Sequence, residues 1–341
     1  MKLLRISNVH IRIVAAAFCL PLAVPAASTT VSNETPTQSA LGRKVEESAL
    51  AQRMRNVQRG IQAYEPNQLG YTKDEGNDDF MDFTVSLLIP LWWGRDLPRT
   101  GRWDCLPIGA VTLRSGQYVL SRSSAPVVGK RFNPLLGARL FERRAGFPYQ
   151  FTDVVYAHES NGQSIASPES FERIRATYLD VEKDADKAKR IARDSISRGW
   201  DYFGVHGEWH WARWSVSTGV KIFMTESRPQ GEKEEYKAWE NDPEGKTRQA
   251  VDGFSVTVTS RHFEPVEASI SLTTGLEHAF QYQTIRGEIG SRLSKYTNPR
   301  IFLWGRYGYN SDFINYYKKN ASVGIAISFW DPPLPPQLRS K

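Results

Sequence analysis

From Asp82 onward the chain is governed by a period of two. Phe83, Val85, Leu87, Ile89 and Leu91 fall on one face while Thr84 and Ser86 begin the other, the pattern of a strand with a single apolar side. The pattern returns downstream. Phe254, Val256 and Val258 alternate with Ser255, Thr257, Thr259 and Arg261; Ile270, Leu272 and Leu276 with Ser269, Ser271, Thr273 and Glu277. Ile285, Ile289 and Leu293 alternate with Arg286, Glu288 and Arg292, and Val323, Ile325, Ile327 and Phe329 with Ser322, Gly324, Ala326 and Ser328. Strands of about nine to eleven residues are long enough to cross a bilayer when tilted. A soluble sandwich also alternates, so context has to decide between the two.

The context is an exported chain rich in aromatic residues. Lys2 and Arg5, the apolar stretch Ile11 to Val24 and the small Ala26 and Ala27 have the layout of a secretory signal peptide, which assigns residues 1–27 to a leader. Cys19 lies inside it, preceded by Phe18 where a lipoprotein signal wants a small residue, and the mature chain keeps only Cys105, so no internal disulfide is expected. Ten Trp, fourteen Tyr and sixteen Phe exceed the needs of a soluble domain, and such rings collect at membrane interfaces. No helix-length apolar run follows the leader, and strands are viable in lipid only when closed, since an open edge leaves backbone groups unsatisfied. The reading is an all-β chain, an antiparallel transmembrane β-barrel of the bacterial outer membrane. Its last strand ends on Phe329 and Trp330. Residues 28–78 form a polar N-terminal segment read as mobile or plug-like, 79–330 the barrel, and 331–341 a proline-rich tail.

Two stretches break the alternation. Lys183 to Arg198 and Arg228 to Lys246 are crowded with charges of both signs and are read as solvated loops, the first able to make a short surface helix. The net charge of +7 comes with no basic run interleaved with stacking aromatics, so nucleic acid is not an expected partner. His206 and His210 are four apart, but in a strand-like, Trp-rich context they do not form a helical metal pair and are read as interface residues.

Chemistry concentrates in Tyr156 to Ser164, YAHESNGQS, which closes a strand and opens a turn. His158 and Ser160 are two apart and share a strand face, so the imidazole can take the hydroxyl proton and make Ser160 a nucleophile. Taking Asn161 to Glu169 as a connection, with Gly162 and Pro168 as turn signals, a hairpin centred near Ile165 places Glu172 opposite His158. On that second strand Glu172 shares a face with Ile174, Ala176 and Tyr178, where a carboxylate on the lipid side needs a partner. The expected constellation is Ser160 as nucleophile, His158 as base and Glu172 as the orienting acid. The backbone N–H groups of Ser160 and Gly162 would hold the oxyanion. A triad outside a barrel near one rim faces lipid esters, so phospholipid is the expected substrate; the competing reading is a non-catalytic pore or structural barrel.

HESNGQS followed by SPESFER resembles the active-site block of the outer-membrane phospholipase A family, whose pattern is His-x-Ser-Asn-Gly, a serine-containing turn, then an aromatic, Asn and Arg. His158, Ser160, Asn161 and Gly162 match, Phe171 and Arg173 flank, and Glu172 stands where the family has asparagine. Upstream, FTVSLLIPLWWG, Phe83 to Gly94, is similar to the family's first strand, and SSAP, Ser123 to Pro126, precedes FNP, Phe132 to Pro134, at the family's spacing. The resemblance runs from about Asp78 to Phe329. It implies a twelve-stranded barrel that is active as a calcium-dependent homodimer and cleaves both acyl positions of glycerophospholipids and lysophospholipids. Carried over residue by residue, Ser124 matches the Ca2+ ligand given by the partner subunit and Gln163 a position contributing a backbone carbonyl. The third ligand falls on Pro168 without a gap, or on Ser167 after a one-residue shift.

Overall fold

The computed structural model describes residues 60–75, 78–94, 97–100, 103–123, 125–142, 149–163, 165, 167–211, 213–224, 246–263, 265–293, 299–310 and 312–332. The leader at 1–27, Ser124 and nearly all of the 228–246 run lie outside these residues, as does most of the tail. Twelve strands close into one antiparallel barrel: β1 (Asn67–Asp74), β2 (Phe80–Pro90), β3 (Trp103–Gln117), β4 (Val127–Glu142), β5 (Tyr149–Ser160), β6 (Gly199–His210), β7 (Trp214–Phe223), β8 (Phe254–Phe263), β9 (Val266–Thr274), β10 (Thr284–Arg292), β11 (Arg300–Gly308) and β12 (Asn320–Trp330). Each pairs with its sequence neighbours, and β1 pairs with β12 in register Leu69↔Ile327, so no edge is left open.

Burial follows the alternation. Val85, Leu113, Leu136, Val154, Phe203, Ile270, Ile289, Leu303 and Ile325 point outward and are exposed. Facing inward are ion pairs that an exterior in lipid could not tolerate: Arg114 with Asp82 at 2.5 Å, Arg139 with Asp153 at 2.7 Å, and Glu267 between Arg261 and Arg300 at 2.7 and 2.6 Å. This inside-out arrangement, apolar outside and ionic within, supports an outer-membrane barrel. Under β2 to β6 the interior is packed instead with Leu88, Leu106, Ile108, Leu135, Phe151 and Val155, all buried.

The first strand begins earlier than the sequence pattern indicates. Asn67–Asp74 falls inside the stretch read as a polar segment, because only Leu69, Tyr71 and Lys73 face outward on so short a strand. Ahead of it, Gln62 exchanges backbone hydrogen bonds with Leu88 at 3.2 and 2.7 Å, and Ala63 to Pro66, a bend outside the strands, line the lumen. His206 and His210 also face the lumen rather than an interface, since the strand period puts both on the inward side of β6.

The connections are unequal. At one end β1–β2, β3–β4, β5–β6, β7–β8, β9–β10 and β11–β12 are joined by segments that include the long 161–198 excursion; the opposite end has shorter turns. In place of the expected second strand, this excursion holds two helices, α1 (Pro168–Glu182) and α2 (Ala185–Arg193). Ser167 caps α1 by accepting from the Ser170 N–H at 3.3 Å, and Pro168 takes the first turn, where its missing N–H costs nothing. Lys183, in the left-handed conformation at φ 56°, ends α1, and Asp184 caps α2 through the N–H groups of Asp186 and Lys187.

Candidate active site

β5 ends at the long-loop rim, and its last turn alternates in function as well as direction. Ala157 and Glu159 point inward and are buried, whereas Tyr156, His158 and Ser160 face outward. The apolar collar around His158 and Ser160 consists of exposed Phe132, Leu136, Tyr156 and Phe203. In the β5–β6 ladder His158 lies directly opposite Asp201, and its Nδ1 is 2.8 Å from Asp201 Oδ1. Because a carboxylate only accepts, this contact puts the proton on Nδ1 and leaves Nε2 as the base on the outer face.

Asp201, not Glu172, is therefore the acid that meets the imidazole. Glu172 lies on α1, is exposed, and pairs with Arg175 at 2.6 Å; a helix at 168–182 cannot be the strand that faces β5. The hairpin reading placed the next strand too early by a helical excursion, and the true partner strand begins at Gly199. The signal for Asp201 was present in GWDYFGV: a carboxylate on the same outward face as Phe203 and Val205.

Several contacts fix the strand end. Asn133 Nδ2 donates to the His158 carbonyl at 3.0 Å beside Pro134, which has no N–H to give. Asn161 reaches across to the returning chain, donating to the Ile196 carbonyl at 2.7 Å and accepting from the Arg198 N–H at 2.9 Å. Its own N–H is committed to the Arg198 carbonyl. Gly199 faces Ser160, and a Cβ there would stand 3.0 Å from Ser160 Cβ and 3.3 Å from His158 Cε1. Gly162 turns the chain at φ 64° and is exposed. Behind the site, Glu159 meets Arg248 at 2.7 Å and Lys221 at 3.4 Å, and Asp252 joins both cations.

Of the expected calcium ligands, Gln163 and Ser167 fall in the described residues, both in the connection between β5 and α1. Ser124 lies outside the described residues. Gln163 is in the turn after Ser160, with its side-chain amide folded onto the Asn161 carbonyl at 3.4 Å. Ser167 is the N-cap of α1, where the positive end of the helix disfavours a cation, and Pro168 has no hydroxyl. Among the described residues no group of three or more His, Cys, Asp and Glu side chains is placed to hold a metal ion.

No protein-family model matches the chain, and no curated relative does. Among solved structures, outer membrane phospholipase A from Escherichia coli, in an active-site mutant form, is 17% identical over 80% of this chain and 92% of its own, with a TM-score of 0.56. The Salmonella typhi outer membrane phospholipase, a dimer with bound calcium, is 16% identical over 80% of this chain and 93% of its own, with a TM-score of 0.57. The chain shares their fold. At this identity the likeness is one of architecture, a twelve-stranded antiparallel barrel.

Proposed function

We propose that this barrel is an outer-membrane phospholipase A: it hydrolyses the sn-1 and sn-2 acyl esters of glycerophospholipids and lysophospholipids through Ser160, His158 and Asp201. The observation that carries the reading is the 2.8 Å contact of His158 Nδ1 with Asp201 Oδ1 on the outward face of β5 and β6, beside Ser160. A cross-strand histidine and carboxylate surrounded by Phe132, Leu136, Tyr156 and Phe203 have no structural need to be on a lipid-facing surface.

In this reading a phospholipid enters sideways, its acyl chains along the apolar wall and its ester at the depth of Ser160. Ser160 Oγ attacks the carbonyl carbon as its proton passes to His158 Nε2. Asp201 holds the ring and stabilises the imidazolium, and His158 returns the proton to the departing glycerol oxygen. Water then repeats the sequence on the acyl-enzyme and frees the fatty acid. Since the Asn161 N–H is already spent on Arg198 and Ser160 stands opposite Phe132 in the ladder, the developing oxyanion is assigned to the N–H of Gly162, just beyond the strand, and the Ser160 N–H expected from sequence is not used.

The resemblance also implies calcium and a second copy of the chain, and the Salmonella neighbour is a dimer with bound calcium. Here Ser167 is committed to its helix and, of the expected ligands among the described residues, Gln163 stands nearest Ser160 in the chain, so no step above is routed through the ion. The deciding assay is fatty-acid release from mixed phospholipid and detergent micelles, with Ser160→Ala alongside. Release that is lost in the variant supports the enzyme. A folded barrel that releases none, and conducts ions in planar bilayers, would be a pore instead.

A further inference from the structure

The same strands carry a second constellation on their other face. Asp153 on β5 lies directly opposite His206 on β6, with His206 Nδ1 4.0 Å from Asp153 Oδ2. On the far side of the ring, His206 Nε2 is 2.8 Å from Ser217 Oγ on β7. Ser217 is diagonal to His206 in the ladder, and the residue that faces the ring directly is Gly219, which puts no side chain between them. Ser215, two residues earlier on the same face, bonds to Arg261 at 3.4 Å.

These groups open onto a lumen cavity of about 470 Å³, a size that takes a small organic molecule. Lys221 and Arg261 line it too, each paired with a carboxylate, Lys221 with Glu159 and Asp252 and Arg261 with Glu267. The histidine side chain is 35% exposed, while Asp153 is completely buried behind it.

We propose that Ser217 is a second reactive serine, facing the lumen, activated by His206 and acting on small water-soluble acyl esters. A membrane phospholipid, whose acyl chains belong on the opposite wall face, cannot reach it. In the step proposed, the Ser217 Oγ–H bond breaks, the proton moves to His206 Nε2 and an Oγ–C bond forms at the acyl carbon. The alcohol leaves with that proton. Water then adds to the acyl-serine, giving its proton through His206 Nε2, and the carboxylic acid departs with Ser217 restored. Asp153 is also held by Arg139 at 2.7 and 2.8 Å and stands further from its histidine than Asp201 does from His158. Turnover at Ser217 is accordingly slower than at Ser160; with an activated ester, whose leaving group departs easily, acylation outruns hydrolysis and acyl-serine builds up before it clears.

The test uses the full-length folded barrel carrying Ser160→Ala, so that it does not depend on the lipid-facing site. With diisopropyl fluorophosphate the expected result is one adduct per chain, located by peptide mass at Ser217. The adduct should be absent in Ser160→Ala/Ser217→Ala and form at least tenfold more slowly in Ser160→Ala/His206→Gln. p-Nitrophenyl acetate should give a burst of nitrophenol in the Ser160→Ala protein. No Ser217 adduct in a barrel with normal heat-modifiable migration would overturn the proposal. So would labelling of Ser215 as fast as Ser217, a comparison that needs no lumen substitution and isolates the contribution of His206.

Discussion

Replacing Asp201 with alanine should reduce phospholipid hydrolysis about thirtyfold and leave the barrel folded. The contact it removes is a 2.8 Å hydrogen bond between a histidine and a carboxylate whose side chains are 44% and 33% exposed. Hydrogen bonds to charged groups contribute roughly 1.5–3 kcal/mol. Partial exposure argues for the lower half of that range and lipid around the site for the upper half, so about 2 kcal/mol is expected, or roughly thirtyfold in rate. Little of this should appear as stability, because an exposed pair adds under about 1 kcal/mol to folding. The assay is initial fatty-acid release from mixed micelles, with heat-modifiable migration reporting the fold. Glu172→Ala is the control: it removes an exposed helical pair with Arg175 and should stay within about twofold of the parent. If Glu172→Ala falls by an order of magnitude while Asp201→Ala does not, the ladder-based assignment is wrong and the acid is the residue at the family's asparagine position.

Gly199→Ala, whose Cβ would stand 3.0 Å from Ser160 Cβ, should lower turnover about tenfold by displacing the nucleophile, measured as kcat in the same micelle assay. Ser167→Ala should leave the response to added calcium as it is in the parent protein and cost about 1 kcal/mol of α1 stability, read by hydrogen exchange. Glu159→Gln strips one carboxylate from a buried cluster with Arg248, Lys221 and Asp252 and should destabilise the barrel by about 3–5 kcal/mol, visible as unfolding at lower urea. The loop end should loosen in acid: burial pushes the Asp194 carboxyl up, but Lys130 and Arg122 outweigh it and hold the group below its ordinary range. A depressed carboxylate contributes stability above its unfolded value, about 4, and loses it as pH falls through the lower folded value. Protection of α2 amides, the observed exchange rate relative to the intrinsic rate at the same pH, should therefore fall below about pH 4, and protection unchanged down to pH 2 would refute the linkage.

The barrel walls were legible because one physical rule governs them: lipid outside and charge within make every second residue informative. Val85 and Ile289 face outward, and Arg286 and Glu288 pair inside at 2.6 Å, as the alternation requires. The outward placement of His158 and Ser160 follows from the same rule. Glu172 did not, because SPESFER has two readings. Pro168 is a turn signal, but Ser167 and Pro168 are equally a helix N-cap followed by a first-turn proline, with Glu169 in the favoured acidic position. Choosing the hairpin fixed a register that the helix abolishes. The early start of β1 was hidden by its outward positions, where Lys73 and a single leucine give little contrast against polar neighbours. Ala63 to Pro66 line the lumen from a bend outside the strands, which leaves no periodic trace in sequence.

If Ser160 is the nucleophile proposed above, the alternation also explains how it is held on a surface with no core behind it. A soluble hydrolase immobilises its nucleophile by packing around it. Here the side chains of His158 and Ser160 point into lipid, where neighbours are fluid and hold nothing in place, so the backbone has to be fixed from the other side. Glu159, between them, points the opposite way into an interior where it is 1% exposed and bonded to Arg248, itself 3% exposed, at 2.7 Å. Asn133 fixes the His158 carbonyl from the lumen face and is in turn bonded to Tyr202 at 3.3 Å. Asn161 ties the next residue to the return of the excursion. Rigidity is thus supplied by polar contacts inside the barrel and transmitted through one strand to the outer face. Glu159, Arg248, Lys221 and Asp252 accordingly stand behind the end of β5, whereas farther along the same strand Leu135, Phe151 and Val155 pack the interior beside the Arg139–Asp153 pair.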